Sequence, residues 1–272
     1  QDCRPEKEAM ISSLLPLYPE LRNISIPDCI SSNITLSTMH GCPPGEIEKI
    51  GHYLLEEKKL HTFIKLNPTL LGKEQLREIL NNQLGYKTMV PDAAFEHDLK
   101  YEDALGIIRR LEMTARQNNL TFGVKLTNTL ECINHRKVFP PKEEMMYMSG
   151  RALHPISVNV AARLHRDLGP GLHISFSGGA DCFNISDLLQ CGLMPVTVCS
   201  DLLKPGGYGR LQQYIEQTTG INTADTDRQA VYLEKYALSV VDDMRYRCDP
   251  FTEKNIKTGR KLGLFDCIHA PC

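Results

Sequence analysis

Two lysines interrupt apolar runs where a cation is costly. Lys65 in "FIKLNPT" and Lys125 in "GVKLTNT" each sit inside a short hydrophobic stretch, and each has an asparagine just beyond. An ammonium group buried without a partner loses its hydration and regains nothing. One reading is that each side chain snorkels to solvent or pairs with a carboxylate such as Asp92. The other is that both aim at an anionic cofactor ring or a phosphate, and the repetition on two runs favours it. A desolvated lysine on a barrel also has a third chemistry open to it, a Schiff base with a carbonyl substrate.

A second constellation depends on backbone rather than side chains. The run "ISFSGGADCFN" stops at Gly178 and Gly179, and the next run ends "PVTVCSDLLKPGGYGRL", with Cys199 and Ser200 at its close. Glycines let backbone N–H groups approach a ligand, and several converging amides hold an anion without any charged side chain. In eight-stranded βα barrels the phosphate site is often built from the last two strand-to-helix loops. If these two runs are those strands, the glycine pair is a phosphate cradle. A tight turn with no ligand is the alternative.

The elements that would carry these residues alternate along the chain. Short apolar runs at 33–37, 62–66, 86–90, 121–126, 173–176 and 195–199 are each followed by an amphipathic segment. In those segments Ile47, Ile50 and Leu54 share a helical face, as do Leu76, Ile79 and Leu80, and Ala104, Ile107, Ile108, Leu111 and Ala115. The passage between 127 and 153, with its adjacent prolines, reads as irregular. Six strand-plus-helix units in a row predict an α/β fold with a buried parallel sheet, either doubly wound or a (β/α)8 barrel. After residue 220 the pattern changes to one long helix, with Val231, Leu233, Ala237, Val240 and Met244 inward. The expected division is a barrel portion over 1–220, a helical linker over 221–256 and a separate segment over 257–272.

Composition narrows the function classes. A formal net charge of -2 offers no excess of cations for displacing counterions from nucleic acid. No apolar run approaches the roughly 18 residues of a membrane span, and the start has no secretory layout. The ten cysteines are irregularly spaced, and Cys29, Cys182, Cys191 and Cys199 lie in apolar stretches. Small buried thiols in a reducing cytoplasm are the expectation. The absence of Met at position 1 suggests a segment of something longer.

Several longer strings now combine. "TLSTMHGCPPGEIEKI", "TFIKLNPTLLG", "FGVKLTNT", "MYMSGRALHPIS", "ISFSGGADCFNI" and "LLKPGGYGRL", in that order, closely resemble the selenate reductase subunit family. These are large flavin and iron–sulfur proteins akin to dihydropyrimidine dehydrogenase, and the terminal "LFDCIHAPC" matches as well. The resemblance implies a (β/α)8 TIM barrel of the dihydroorotate dehydrogenase type, with FMN at the strand carboxyl ends. It further implies that the first two of the eight units are missing from this chain and that a C-terminal helical extension follows.

Carried over by position, the resemblance places Lys65 or Lys125 near the flavin ring and Asn128 against flavin or substrate. Ser149 and Gly150 fall on the phosphate side, and Gly178, Gly179, Cys199 and Ser200 around the phosphate. Cys42 and His40 are candidates for the acid–base role. Thr35, however, stands where the dehydrogenases have a substrate-binding asparagine, and the mobile acid–base loop has no room before the next helix. Cys267 and Cys272 match two of four 4Fe–4S ligand positions, the preceding position being Leu264; two thiolates alone hold no such cluster. The implied protein is an NAD(P)H-dependent oxidoreductase acting on a small-molecule substrate, with FAD, NADPH and clusters on further redox domains or subunits. The missing acid–base loop keeps a second expectation open, a cofactor-free barrel scaffolding a redox complex.

Overall fold

The sheet is organised by the mutual register of its two central strands. The computed structural model describes residues 3–29, 31–38, 41–221 and 225–248. Its strands are β1 (Asn33–Ser37), β2 (His61–Leu66), β3 (Phe122–Leu126), β4 (Leu130–Ile133), β5 (Met145–Met148) and β6 (His173–Phe176). Its helices are α1 (Arg4–Leu14), α2 (Pro44–His52), α3 (Lys73–Arg77), α4 (Asp92–His97), α5 (Tyr101–Gln117), α6 (His154–Leu168), α7 (Ile185–Gln190), α8 (Leu211–Thr218) and α9 (Thr226–Ser239). Four strands form one parallel sheet in the order β1-β2-β3-β6, while β4 and β5 make a separate antiparallel hairpin. This alternation of parallel strands and helices is the α/β architecture that the runs predict, and it agrees with the TIM-barrel type that the resemblance implies.

Because side chains alternate across a strand, each strand divides its residues between two faces. Ile64, Leu66, Val124, Leu126, Ile174 and Phe176 join one large apolar core. Helices α5 and α6 pack against β3 on that side. α5 earns its place by periodicity: Ala104, Ile107, Ile108, Leu111 and Ala115 are all buried on one stripe. The other face carries Phe63, Lys65, Gly123, Lys125 and Ser175, with Phe63 opposite Gly123 and Lys65 opposite Lys125. Phe63 is buried yet lies outside the main core.

Several expected elements differ. The run at 86–90 forms no strand, because β2 and β3 hydrogen-bond directly to one another and leave no place between them. Its backbone is instead held by Asn81, whose amide donates to the carbonyls of Tyr86 (2.7 Å) and Thr88 (2.9 Å). The run at 195–199 contributes a single parallel bridge, Phe176 with Val196. The passage read as irregular holds the β4–β5 hairpin, whose Leu130 and Cys132 are buried. Ile50 is 37% exposed, and Val231 and Met244 are exposed at 55% and 74%, so these three leave the predicted faces.

The buried aromatic residues of the C-terminal segment are Tyr236 and Tyr246. α9, capped by Asp225 accepting from the Arg228 N–H (2.9 Å), packs on α6. Among the described cysteines Cys29 and Cys199 are exposed, unlike buried Cys182 and Cys191. Among the described residues no helix is long and apolar enough to cross a membrane.

Gly123 is required by the packing of its own sheet. A Cβ there would run into the His173 carbonyl and the Phe63 ring, and a backbone atom of a paired strand does not move aside. Gly123→Ala is expected to lower stability by about 1–3 kcal/mol, read as a reduced urea midpoint with an unchanged m-value.

Candidate functional site

The parallel register of β2 on β3 brings Lys65 directly beside Lys125. Both side chains are half-buried. Desolvation pushes both ammonium groups below the ordinary lysine range, and the charge of Lys65 pushes Lys125 further. Opposing this at Lys65 is the nearby Cys199 thiol. Lys125 Nζ donates to Thr197 Oγ1 at 2.7 Å. Asp92, the carboxylate that sequence offered as a partner, is taken by Lys73 and Arg77. Among the described residues no carboxylate forms an ion pair with either lysine. Two partly desolvated lysines placed together make this end of the sheet the candidate site.

Just past the lysines lies an amide cluster. Asn128 is buried and bonds to β2 through its backbone N–H, donating to the Leu66 carbonyl (2.8 Å). Its side-chain amide donates to the Thr38 carbonyl (2.8 Å) and to Asn67 Oδ1 (2.6 Å), and its Oδ1 accepts from Ser37 (3.3 Å). Thr38 in turn donates through Oγ1 to the Lys65 carbonyl (2.6 Å). Asn67 is only 2% exposed, and its Nδ2 has no hydrogen-bond partner among the described residues. A buried amide donor left unmade costs about 1–3 kcal/mol, so this N–H is a candidate to donate to a ligand. Sequence marked Asn67 only as the asparagine beyond Lys65 and gave it no role of its own, because an asparagine before a proline also reads as a turn.

The glycine loop is built differently from a hollow opened by missing side chains. A Cβ on Gly178 would collide with Ser157 of α6, and one on Gly179 with the Gly150 carbonyl. The glycines thus admit close backbone packing against the Ser149–Gly150 turn and the start of α6. Ser157 also hydrogen-bonds Thr127 Oγ1 at 2.8 Å. The carbonyls of Gly178 and Gly179 accept from His154 Nδ1 (2.9 Å) and Asn184 Nδ2 (3.1 Å). The N–H groups of Gly178, Gly179 and Ala180 find no acceptor among the described residues. Three successive backbone donors with no acceptor among the described residues are the kind of group from which an anion nest is built.

The neighbouring loop comes alongside. Thr197 N–H donates to the Phe176 carbonyl at 2.7 Å, which brings Cys199 and Ser200 to the same rim. Ser200 opens a short helical turn, and next to it buried Asp201 is held by Lys204 (3.0 Å), Arg210 (3.0 Å) and Tyr214 (2.6 Å). Against the desolvation that raises it, those three hydrogen bonds keep Asp201 below the usual carboxylate range.

Lys65, Lys125, Asn128, Gly178, Gly179, Cys199 and Ser200 therefore gather at the carboxyl ends of the parallel strands, and Gly150 abuts Gly179 there. Cys42 packs against the apolar core. His40, Cys267 and Cys272 lie outside the described residues. Among the described residues no group of three or more His, Cys, Asp or Glu is placed to hold a metal ion. Measured against the FMN that the resemblance implies, the residues fit in charge and donor count: two unanswered cations, an orphaned buried amide and three backbone N–H groups, all donors.

Comparison with known proteins adds a family. Residues 3–248 match the family described as "Oxidoreductase YgfK, N-terminal TIM-barrel domain". Two curated proteins named "Putative oxidoreductase YgfK", from Escherichia coli (strain K12) and Escherichia coli O157:H7, are each 46% identical over 253 residues. The alignment covers 91% of this chain and 24% of each relative, so the chain spans about a quarter of their length. No solved structure matches.

The lysine pair has a measurable signature. A lysine whose folded-state pKa is lowered binds fewer protons than in the unfolded chain, so stability rises with pH from that lowered value up to the unfolded value of about 10.4. Lys65→Met is expected to be more stable than the wild type at neutral pH. Urea midpoints taken up to about pH 10 should show the gap narrowing as the wild-type lysines discharge.

Proposed function

Because the chain belongs to the family of oxidoreductase YgfK N-terminal TIM-barrel domains, we propose that it is the FMN-binding module of an NAD(P)H-dependent iron–sulfur flavoprotein. The module is of the dihydroorotate and dihydropyrimidine dehydrogenase type, in a cytoplasmic protein of the selenate reductase subunit kind. The observation that carries this reading is the pair Lys65 and Lys125, half-buried side by side, with no ion pair to a carboxylate among the described residues.

In this reading Lys65 and Lys125 face the anionic side of the flavin ring. Asn67 and Asn128 present amides to ring or substrate carbonyls, and the N–H groups of residues 178–180 receive the phosphate. Bound FMN supplies the hydride and one-electron chemistry; the protein supplies orientation and field. The lysines stabilise negative charge where it grows, because fixed cations in a partly desolvated site need no reorganisation as the charge develops. Cys267 and Cys272 are two ligands of a 4Fe–4S cluster completed elsewhere in the longer protein. FAD and NADPH bind on those further parts, and electrons reach the small-molecule substrate through them.

A second reading has its own observation. Gly178 and Gly179 are needed for packing against Ser157 and Gly150, which is all that a cofactor-free barrel serving as a scaffold for redox partners would require.

Purification of the intact parent protein separates the two. FMN binding predicts flavin absorption bands and about one FMN released per chain on denaturation. Replacing both lysines by methionine should then lower retained FMN about tenfold or more, the loss of at least one charge-assisted contact. A colourless, flavin-free parent overturns the flavin reading and leaves the scaffold.

A further inference from the structure

His154 begins α6, is 0% exposed, and has no role in the function proposed above. Its hydrogen bonds fix its tautomer. The Gly178 carbonyl at 2.9 Å can only accept, so Nδ1 carries the proton; Nε2 then accepts from the Tyr236 hydroxyl at 2.8 Å. Burial, the leading cause, pushes the imidazole down to about 3, which keeps it neutral and consistent with this arrangement. The ring stacks on Tyr246, with centroids 4.9 Å apart and planes 11° from parallel, and meets Phe176 edge-on at 5.4 Å.

The same C-terminal segment grips the glycine loop at further points. Asn184 Nδ2 donates to both the Gly179 carbonyl and the Tyr246 hydroxyl, each at 3.1 Å. Arg245, oriented by Asp243 (2.8 Å), donates to the Phe183 carbonyl at 2.9 Å. Tyr246 is itself held by Tyr86, whose hydroxyl donates to its carbonyl at 3.0 Å.

Peptide geometry turns these contacts into an orientation. In a trans peptide the C=O of one residue and the N–H of the next point in opposite directions. Holding the Gly178 carbonyl on His154 therefore turns the Gly179 N–H the other way. Holding the Gly179 carbonyl on Asn184 does the same for the Ala180 N–H. These are two of the three donors that lack an acceptor among the described residues.

We propose that His154 is a positioning residue: it ties the glycine loop to Tyr236 and Tyr246, so that the chain beyond α8 sets the direction of the N–H groups offered to an anion. The identity of that anion as the FMN phosphate rests on the function proposed above, whereas the tie does not. A shift of Tyr246 in this arrangement reaches the Gly178 carbonyl through stacked and hydrogen-bonded side chains, giving the segment after residue 225 a direct mechanical connection to the site.

The test uses the full-length protein and three variants. Tyr236→Phe removes a single hydroxyl, His154→Phe removes both ring nitrogens, and His154→Asn keeps a donor near the position of Nδ1. Hydrogen exchange by mass spectrometry is followed in a peptide covering 177–184 and in peptides from β2 and β3, alongside titration with FMN. Tyr236→Phe and His154→Phe are expected to speed exchange in the loop about tenfold while the β2 and β3 peptides stay unchanged. His154→Asn should recover most of the protection lost in His154→Phe. In a protein that binds FMN, the first two variants should also weaken that binding about tenfold. Loop exchange that is unchanged, or that rises equally in β2 and β3, overturns the tie. A wild-type protein that takes up no FMN but shows the local exchange pattern keeps the tie and rejects the flavin reading.

Discussion

Two ammonium groups held side by side, with no carboxylate paired to them among the described residues, set the terms for the rest of this structure. Lys65 and Lys125 are cross-strand partners on β2 and β3; like charges so placed repel, and both are further disfavoured by partial burial. The sheet accommodates this by distributing its roles between two faces. The helix-covered face provides the stability through Ile64, Leu66, Val124 and Leu126, all nearly inaccessible to water. The other face is then free to carry polar groups, with Phe63 laid against Gly123 as its apolar base. Asp92 pairs with Lys73 and Arg77, and Asp201 with Lys204 and Arg210.

The glycine loop unites two demands usually treated as alternatives. Gly178 and Gly179 lack side chains because Ser157 and the Gly150 carbonyl occupy the space where a Cβ would stand. That close approach brings the loop carbonyls to His154 and Asn184, which consume them. Once the carbonyls are consumed inside, the N–H groups on the opposite edges of the same peptides are left over. Close packing and the leftover N–H groups are thus consequences of one backbone course.

This arrangement also gives meaning to the segment after residue 225. α9 packs on α6, and Tyr236, Tyr246 and Arg245 each touch a residue that holds the glycine loop or the loop itself. A region that composition marks as an addition to the barrel is built into the barrel's rim. The matched family extends over it too, to residue 248.

Much of this was legible in the amino-acid order. Hydrophobic periodicity is a local property, so α5 and the runs that became β1, β2, β3 and β6 could be read directly. The double occurrence of a lysine in an apolar run, and the paired glycines, pointed to residues that come together at the carboxyl ends of the parallel strands. What was not legible depended on neighbours distant in sequence. The run at 86–90 has strand-forming residues but no place between its neighbours in sequence, since β2 and β3 already bond to each other. Tyr236 and Tyr246 acquire their roles from His154, 82 residues before Tyr236, and no local pattern announces a partner at that distance. Residue types and spacing determined which groups were available and which elements would carry them. Only the tertiary structure decided which groups face each other, because pairing, burial and an unmet hydrogen bond are properties of contacts rather than of residues.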